Sequence, residues 1–119
     1  MSDKGSALFC GQSLRVSDYL QSPNGRYQAD MQPDGNFVLY DLGKNHKPIW
    51  SSKTNGQAVS VATMQGDGNF VIYGFSNNAI FATKTQGQPN AFMQIQDDGN
   101  LVIYKHETKA LWASGTQGQ

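Results

Sequence analysis

The stretch Met31-Gln-Pro-Asp-Gly-Asn-Phe-Val-Leu-Tyr40 returns twice, with small changes, later in the chain. It recurs as Met64-Gln-Gly-Asp-Gly-Asn-Phe-Val-Ile-Tyr73 and as Ile95-Gln-Asp-Asp-Gly-Asn-Leu-Val-Ile-Tyr104. The copies lie 33 and 31 residues apart. A period of this size marks a supersecondary unit that cannot bury its own apolar face and must share a core with its neighbours. Asp-Gly between alternating apolar and polar runs is a strong hairpin signal. Each unit therefore reads as one strand ending near Gln32, Gln65 or Gln96, a tight turn, and a second strand running from the Asn to the Tyr.

Working outward, each copy is followed by an apolar-aromatic pair: Ile49-Trp50, Ile80-Phe81 and Leu111-Trp112. Four residues after each aromatic comes Thr-x-Gly-Gln, at Thr54–Gln57, Thr85–Gln88 and Thr116–Gln119. The aromatic belongs to a third strand, reached through turns containing Lys44–Pro48, Ser76–Asn78 and His106–Lys109. The first unit carries two extra residues in the Lys44–Lys47 stretch, where a surface loop tolerates them. The segment Leu8–Tyr27, with Pro23-Asn24-Gly25 as its turn, is expected to supply the strand that completes the set.

Composition agrees. The chain has 119 residues, 12 Gln, 9 Asn, 13 Gly and a single Glu, Glu107. It is poor in helix formers and rich in turn formers, with β-branched and aromatic residues in short runs. The expected organisation is one all-β domain over residues 1–119, with motifs at 32–40, 65–73 and 96–104. Nine basic residues balance nine acidic ones, so there is no electrostatic footprint for nucleic acid. No apolar run approaches the roughly 20 residues that span a bilayer, and no membrane insertion is expected. The start, Met1-Ser-Asp-Lys-Gly-Ser6, lacks the basic-then-apolar pattern of a signal peptide. Cys10 is the sole cysteine, which excludes an internal disulfide and a cysteine-rich metal site.

Strand parity divides the side chains. Phe37 and Leu39, Phe70 and Ile72, and Leu101 and Ile103 share one face with Ala29, Met31, Ala62, Met64, Met93 and Ile95. These form the expected interior, with Trp50, Phe81 and Trp112 as core aromatics at the pseudo-threefold centre. The opposite face holds Gln32, Asn36, Val38 and Tyr40, then Gln65, Asn69, Val71 and Tyr73, then Gln96, Asn100, Val102 and Tyr104. Asp34, Asp67 and Asp98 sit in the adjoining turns. A turn needs Asp-Gly but not a Gln two positions earlier, and a solvated strand does not need Val between Asn and Tyr. All five positions are identical in the three units, whereas intervening residues vary: Pro33, Gly66 and Asp97, or Leu39, Ile72 and Ile103. One carboxylate, two amides, a phenol and a valine match a neutral hexose, whose hydroxyls donate and accept and whose C–H edge is apolar.

Gln-x-Asp-x-Asn-x-Val-x-Tyr, present three times, resembles the monocot mannose-binding lectins, the bulb-type or snowdrop-lectin-like family. The resemblance runs from about Leu8 to Gly118. It implies a β-prism II fold, with three four-stranded antiparallel sheets around a pseudo-threefold axis and a shallow α-mannose site on each. By that resemblance Asp34 and Asn36 bind the 2-hydroxyl, Gln32 the 3-hydroxyl and Tyr40 the 4-hydroxyl, while Val38 touches the ring carbons. Gln65, Asp67, Asn69, Val71 and Tyr73 repeat these roles, as do Gln96, Asp98, Asn100, Val102 and Tyr104. It implies no metal and no cofactor, and a homodimer formed by exchange of the C-terminal strand, Ala110–Gly115.

The chain departs from plant members, which carry a cysteine between the motif's Asp and Asn and a secretion signal. Here that position is Gly35, Gly68 or Gly99. In this respect the chain is more similar to the leaderless, disulfide-free animal members of fish skin mucus. The expected location is extracellular through leaderless secretion, or cytoplasmic. The expected function is non-enzymatic, metal-independent recognition of mannose and mannose-containing glycans on microbial or viral surfaces. The rival is a toxin-like protein that turns the same fold on a protein or membrane target. A β-trefoil would need longer repeats. Cys10 is expected to be a buried, inert thiol, with intermolecular pairing as the alternative. His46 and His106 are expected to be solvated loop residues with no acid or nucleophile beside them.

Overall fold

The computed structural model describes residues 2–105 and 110–116. The expected turn at His106–Lys109 and the end of the last Thr-x-Gly-Gln element, Gln119, lie outside the described residues. Among the described residues thirteen strands follow in order: β1 (Ser2–Asp3), β2 (Ala7–Leu8), β3 (Ser13–Arg15), β4 (Asp18–Gln21), β5 (Tyr27–Met31), β6 (Phe37–Asp41), β7 (Lys47–Ser51), β8 (Val59–Met64), β9 (Phe70–Gly74), β10 (Ala79–Ala82), β11 (Phe92–Ile95), β12 (Leu101–Tyr104) and β13 (Ala110–Ala113). A short 3-10 helix, Leu42–Lys44, sits between β6 and β7. With Asn45 and His46 at positive φ, it forms the loop expected of the longer first unit.

Three sheets result, ordered β1-β4-β5-β6-β7, β10-β9-β8-β3 and β13-β12-β11-β2. Each repeat contributes three antiparallel strands, whose inner edge, on β5, β8 or β11, must be paired by another segment. An open edge is a row of unpaired backbone groups that needs covering. The N-terminal segment covers all three. It does not supply one completing strand, as expected; it is divided into β2 for the third sheet, β3 for the second and β4 for the first. The first sheet also carries a fifth strand that the sequence did not signal, because β1 runs parallel to β4 through Ser2↔Asp18 and Asp3↔Tyr19. The Pro23-Asn24-Gly25 turn joins β4 to β5, closed by Gly25 N–H to Ser22 O at 2.9 Å.

The alternation expected from the repeats places the core. Phe37, Leu39, Phe70, Ile72, Leu101 and Ile103 are buried with Ala29, Met31, Ala62, Met64, Met93 and Ile95 in one cluster shared by the sheets. Trp50, Phe81 and Trp112 pack on that cluster but remain half-buried. They meet edge-on, with Trp50 to Trp112 centroids at 5.5 Å and Trp50 to Phe81 at 5.9 Å. Such pairs add about 0.5–1.5 kcal/mol each beyond burial. The body measures 35 × 35 × 22 Å, so three outer sheet faces point in different directions around a thin disc.

β13 lies on β12 of its own chain, with Val102↔Ala113 and Ile103↔Trp112 in register. Its inner edge is therefore satisfied without a second copy. In the first sheet, Arg26 Nε and Nη2 donate to the two oxygens of the buried Asp41 at 3.0 and 3.1 Å. That hydrogen-bonded pairing holds the Asp41 carboxyl below the usual carboxylate range and raises the Arg26 guanidinium. Asp41 also accepts Gly43 N–H, capping the 3-10 turn.

Candidate functional site

The Asp-Gly-Asn turn is built identically three times. The Gly N–H donates to the Gln carbonyl at 3.0 Å in each copy, and the Gln N–H donates back to the Asn carbonyl. The glycines have φ of 91°, 93° and 88° at Gly35, Gly68 and Gly99. This is the region where only glycine sits without strain. Space is also lacking, because a Cβ at Gly35 or Gly68 would collide with the carbonyl oxygen of Gln57 or Gln88, and one at Gly99 with the Tyr27 ring. The position between the motif's Asp and Asn is thus closed to a side chain here.

Each turn spends half of its polar groups on its own geometry. One oxygen of Asp34, Asp67 and Asp98 accepts the N–H of Asn36, Asn69 and Asn100 at 2.9–3.0 Å. The Asn side-chain oxygens are spent too: Asn36 accepts Thr54 N–H, Asn69 accepts Thr85 N–H, and Asn100 accepts the N–H groups of Gly115 and Thr116. Each asparagine therefore turns a fixed NH2 donor toward its site rather than a group able to do either. The second carboxylate oxygen of each Asp completes a donor–acceptor pair.

The Thr of Thr-x-Gly-Gln repeats in the sequence without a task evident from its pattern. In the fold Thr54, Thr85 and Thr116 are buried, and each hydroxyl donates to the carbonyl of the turn glycine: Gly35, Gly68 and Gly99. Ser52, Thr83 and Ser114 stand two residues earlier and hydrogen-bond both to these threonines and to the motif asparagines. The signal was present as hydroxyl residues at fixed offsets from Trp50, Phe81 and Trp112.

On the sheet face, Gln32, Gln65 and Gln96 each donate from Nε2 to the hydroxyl of Tyr40, Tyr73 and Tyr104. The tyrosine oxygen is the acceptor, so its proton is left to donate outward. In each patch Gln and Tyr are half-buried and Asp is exposed, and Asn36 and Asn69 are half-buried, whereas Asn100 in the third patch is buried. Val38, Val71 and Val102 lie on the outward face as expected but are only 4%, 3% and 2% exposed. Each sits on a strand flanked on both sides, with Val38 between Asp30 and Ser51. The valines form the floor of the patch.

The three patches differ around this common frame. At the first, a cleft of about 530 Å3 takes in the patch's Gln32, Asp34 and Tyr40 and is further lined by Ser17, Asp30, Met31 and Pro33. Asp30 is 7% exposed and accepts Gln28 Nε2 at 2.8 Å. Burial pushes its carboxyl above the ordinary value, with the Gln28 bond and the charge of His46 opposing. His46 is exposed as expected, but its ring stacks on Tyr40 at 4.4 Å between centroids. Beside the third patch, Phe92 packs between Tyr104 and the exposed Phe9. Cys10 is half-buried rather than sealed, and its thiol faces the carbonyls of Gln65 and Ala91 at 3.3 and 3.0 Å. Among the described residues no three His, Cys, Asp or Glu side chains gather as metal ligands.

No family model matches the chain. Monomeric monocot mannose-binding lectins from Gastrodia elata share 42% identity over 94% of this chain and 98% of theirs, with a TM-score of 0.84. The chain belongs to the monocot mannose-binding lectin family. The snowdrop (Galanthus nivalis) mannose-specific agglutinin, solved with methyl-α-D-mannoside, is 39% identical over 94% of this chain and 97% of that one, with a TM-score of 0.76. A mannose-specific lectin of Narcissus tazetta is 47% identical over 49 residues, which is 41% of this chain and 32% of that protein. The matched segment thus spans less than a third of that curated relative's length. The three-sheet arrangement is the β-prism II fold of these bulb lectins.

Proposed function

We propose that the chain is a non-enzymatic, metal-independent lectin that binds mannose and mannose-containing glycans at up to three shallow sites, one on each sheet. The observation that carries this reading is the repeated patch itself. Three times over, the groups left after the turn is built are an Asp oxygen, an Asn NH2, a Gln amide oxygen and a Tyr O–H. Fixed donors and acceptors side by side suit vicinal hydroxyls, each of which must donate and accept at once. In this reading Asp34 and Asn36 take one hydroxyl, Gln32 the next and Tyr40 the third. Asp67, Asn69, Gln65 and Tyr73 do the same on the second sheet, and Asp98, Asn100, Gln96 and Tyr104 on the third. Because the groups are held by the turn and not by the ligand, little ordering cost falls on binding.

A single shallow site of this kind is weak, about millimolar, or about 4 kcal/mol. Three sites on different faces raise avidity only on surfaces that carry many glycans. That arrangement suits recognition of microbial or viral surfaces, and assembly would multiply it. Homodimerisation by exchange of the C-terminal strand is proposed on the ground that β13 is the end strand of its sheet among the described residues. Light scattering that finds only the 13.0 kDa species at micromolar concentration excludes it.

The site assignment is tested with Tyr40→Phe, Tyr73→Phe and Tyr104→Phe, singly and together, on immobilised mannan. Each single change should lower retention, and the folded triple variant should lose it. Full retention by the triple variant would contradict the assignment.

A further inference from the structure

Each Asp-Gly-Asn turn is supported from behind, and the third draws on a different unit as well as its own. Behind the first two stands the tail of their own repeat. Gly56 N–H donates to the Asp34 carbonyl at 2.7 Å, and Gln88 N–H to the Asp67 carbonyl at 2.9 Å. The third turn is met by the first unit. Asn24, in the Pro23-Asn24-Gly25 turn between β4 and β5, donates its backbone N–H to Asp97 Oδ1 at 2.8 Å and its Nδ2 to the Asp97 carbonyl at 3.4 Å. The Tyr27 ring, buried at the start of β5, lies against Gly99, so close that a Cβ there would stand 2.9 Å from its carbons. Asp97 and Gly99 flank Asp98, the exposed carboxylate of the third patch. Pro33 and Gly66 hold the place of Asp97 in the other motifs, and neither has a side-chain acceptor. Asn24 is itself held, because its Oδ1 accepts from Ser22 Oγ at 2.7 Å and from Arg26 N–H at 3.0 Å. A preformed turn of one sheet is thus clasped onto the motif of another. Asn100, inside the clasped motif, is buried where Asn36 and Asn69 are half-buried.

We propose that the Pro23-Asn24-Gly25 turn is a positioning element of the third site: while Asn24 holds Asp97, Asp98 and Asn100 stand as mannose needs them, so that bound mannose and the closed clasp stabilise each other. This rests on the mannose reading of the third patch. Asn24 and Asp97 touch no sugar in that reading and act only through the turn. A turn fixed before binding leaves less to order when the ligand arrives. Coupling of this kind is reciprocal: the factor by which the clasp raises affinity is the factor by which the ligand stabilises the clasp. Asn24 and Asp97 are both exposed, so the coupling belongs at the low end of the usual range, about fivefold. With Pro33 and Gly66 at the matching position, the other two motifs have no side chain to make such a link.

The test isolates single sites. Tyr40→Phe with Tyr73→Phe leaves the third site; Tyr40→Phe with Tyr104→Phe leaves the second. Asn24→Asp keeps the oxygen that builds the β4–β5 turn but sets a second carboxylate against Asp97. Calorimetric titration with methyl α-mannoside at low salt should find the third site weakened about fivefold and the second unchanged. The loss should shrink at about 1 M salt, where charges are screened beyond about 3 Å. Adding Asp97→Asn removes the repulsion and should restore most of the affinity, a rescue that a merely misfolded turn would not give. With Asn24 and Asp97 intact, saturating mannoside should slow exchange of the Asn24 amide, read by NMR, in the third-site protein and not in the second-site protein. A third site indifferent to Asn24→Asp, equal losses at both sites, or Asn24 exchange indifferent to mannoside overturns the proposal while leaving mannose binding intact. Failure of the mannoside to bind either single-site protein overturns the mannose reading and this inference with it.

Discussion

Thr85→Val should weaken the second site without touching any ligand. The substitution nearly preserves volume and removes one hydroxyl. Thr85 is buried, its Oγ1 donates to the Gly68 carbonyl, and it shares a hydrogen bond with Thr83 Oγ1 at 3.0 Å. Val leaves the buried Gly68 oxygen unpaired and Thr83 one partner short. An orphaned buried group costs about 1–3 kcal/mol, so a loss of about 2 kcal/mol is expected. For a chain of this size the unfolding entropy converts that into a fall in Tm of about 8 °C. The same carbonyl belongs to the turn that aims Asp67 and Asn69, so the second site should weaken while the others hold. Thermal melts by circular dichroism give the first number. Titration with methyl α-mannoside in the Tyr40→Phe, Tyr104→Phe background gives the second. A variant with unchanged Tm and unchanged second-site affinity would refute the claim that the buried threonine holds the turn.

Gly68→Ala should cost more than 3 kcal/mol, because a positive φ and a collision with the Gln88 carbonyl act together. Gly56→Ala has a similar φ of 85° but open space around it, and should cost only about 1–2 kcal/mol; denaturant melts of the pair separate strain from collision. Asp41→Asn removes the paired carboxylate whose folded value is held down by Arg26. A depressed carboxyl contributes stability that is present above its unfolded value and lost as pH falls through its folded value. The stability gap between parent and variant should therefore be full at neutral pH and close on acidification below pH ~4; a gap independent of pH would contradict it. Trp50→Ala should destabilise by about 3–5 kcal/mol, since Trp50 meets Phe37, Phe81 and Trp112.

The elements written within one repeat were legible. Period-two alternation placed Phe37 and Leu39 inside and Gln32 and Tyr40 outside, and Asp-Gly placed the turn, because strand parity and turn chemistry are local. What was not legible depends on neighbours in space. Leu8, Leu14 and Leu20 look like parts of one strand-forming segment, yet each goes to a different sheet, since the inner edge of each repeat must be paired. Val38 is outward by parity but buried, because β5 and β7 flank it. Asp30 reads as an ordinary polar strand residue, and only the cleft it lines with Gln32 gives it a distinct setting. The buried threonines were visible as a repeat but not as a mechanism, since the glycine carbonyls they hold lie 17 to 19 residues away.

Calorimetric titration of the whole chain with methyl α-mannoside, in EDTA and with galactose as control, tests the central claim most directly. Heat from the mannoside alone, with a stoichiometry near three per chain, is the predicted result. Absence of heat at millimolar mannoside, or equal heat from galactose, would contradict it.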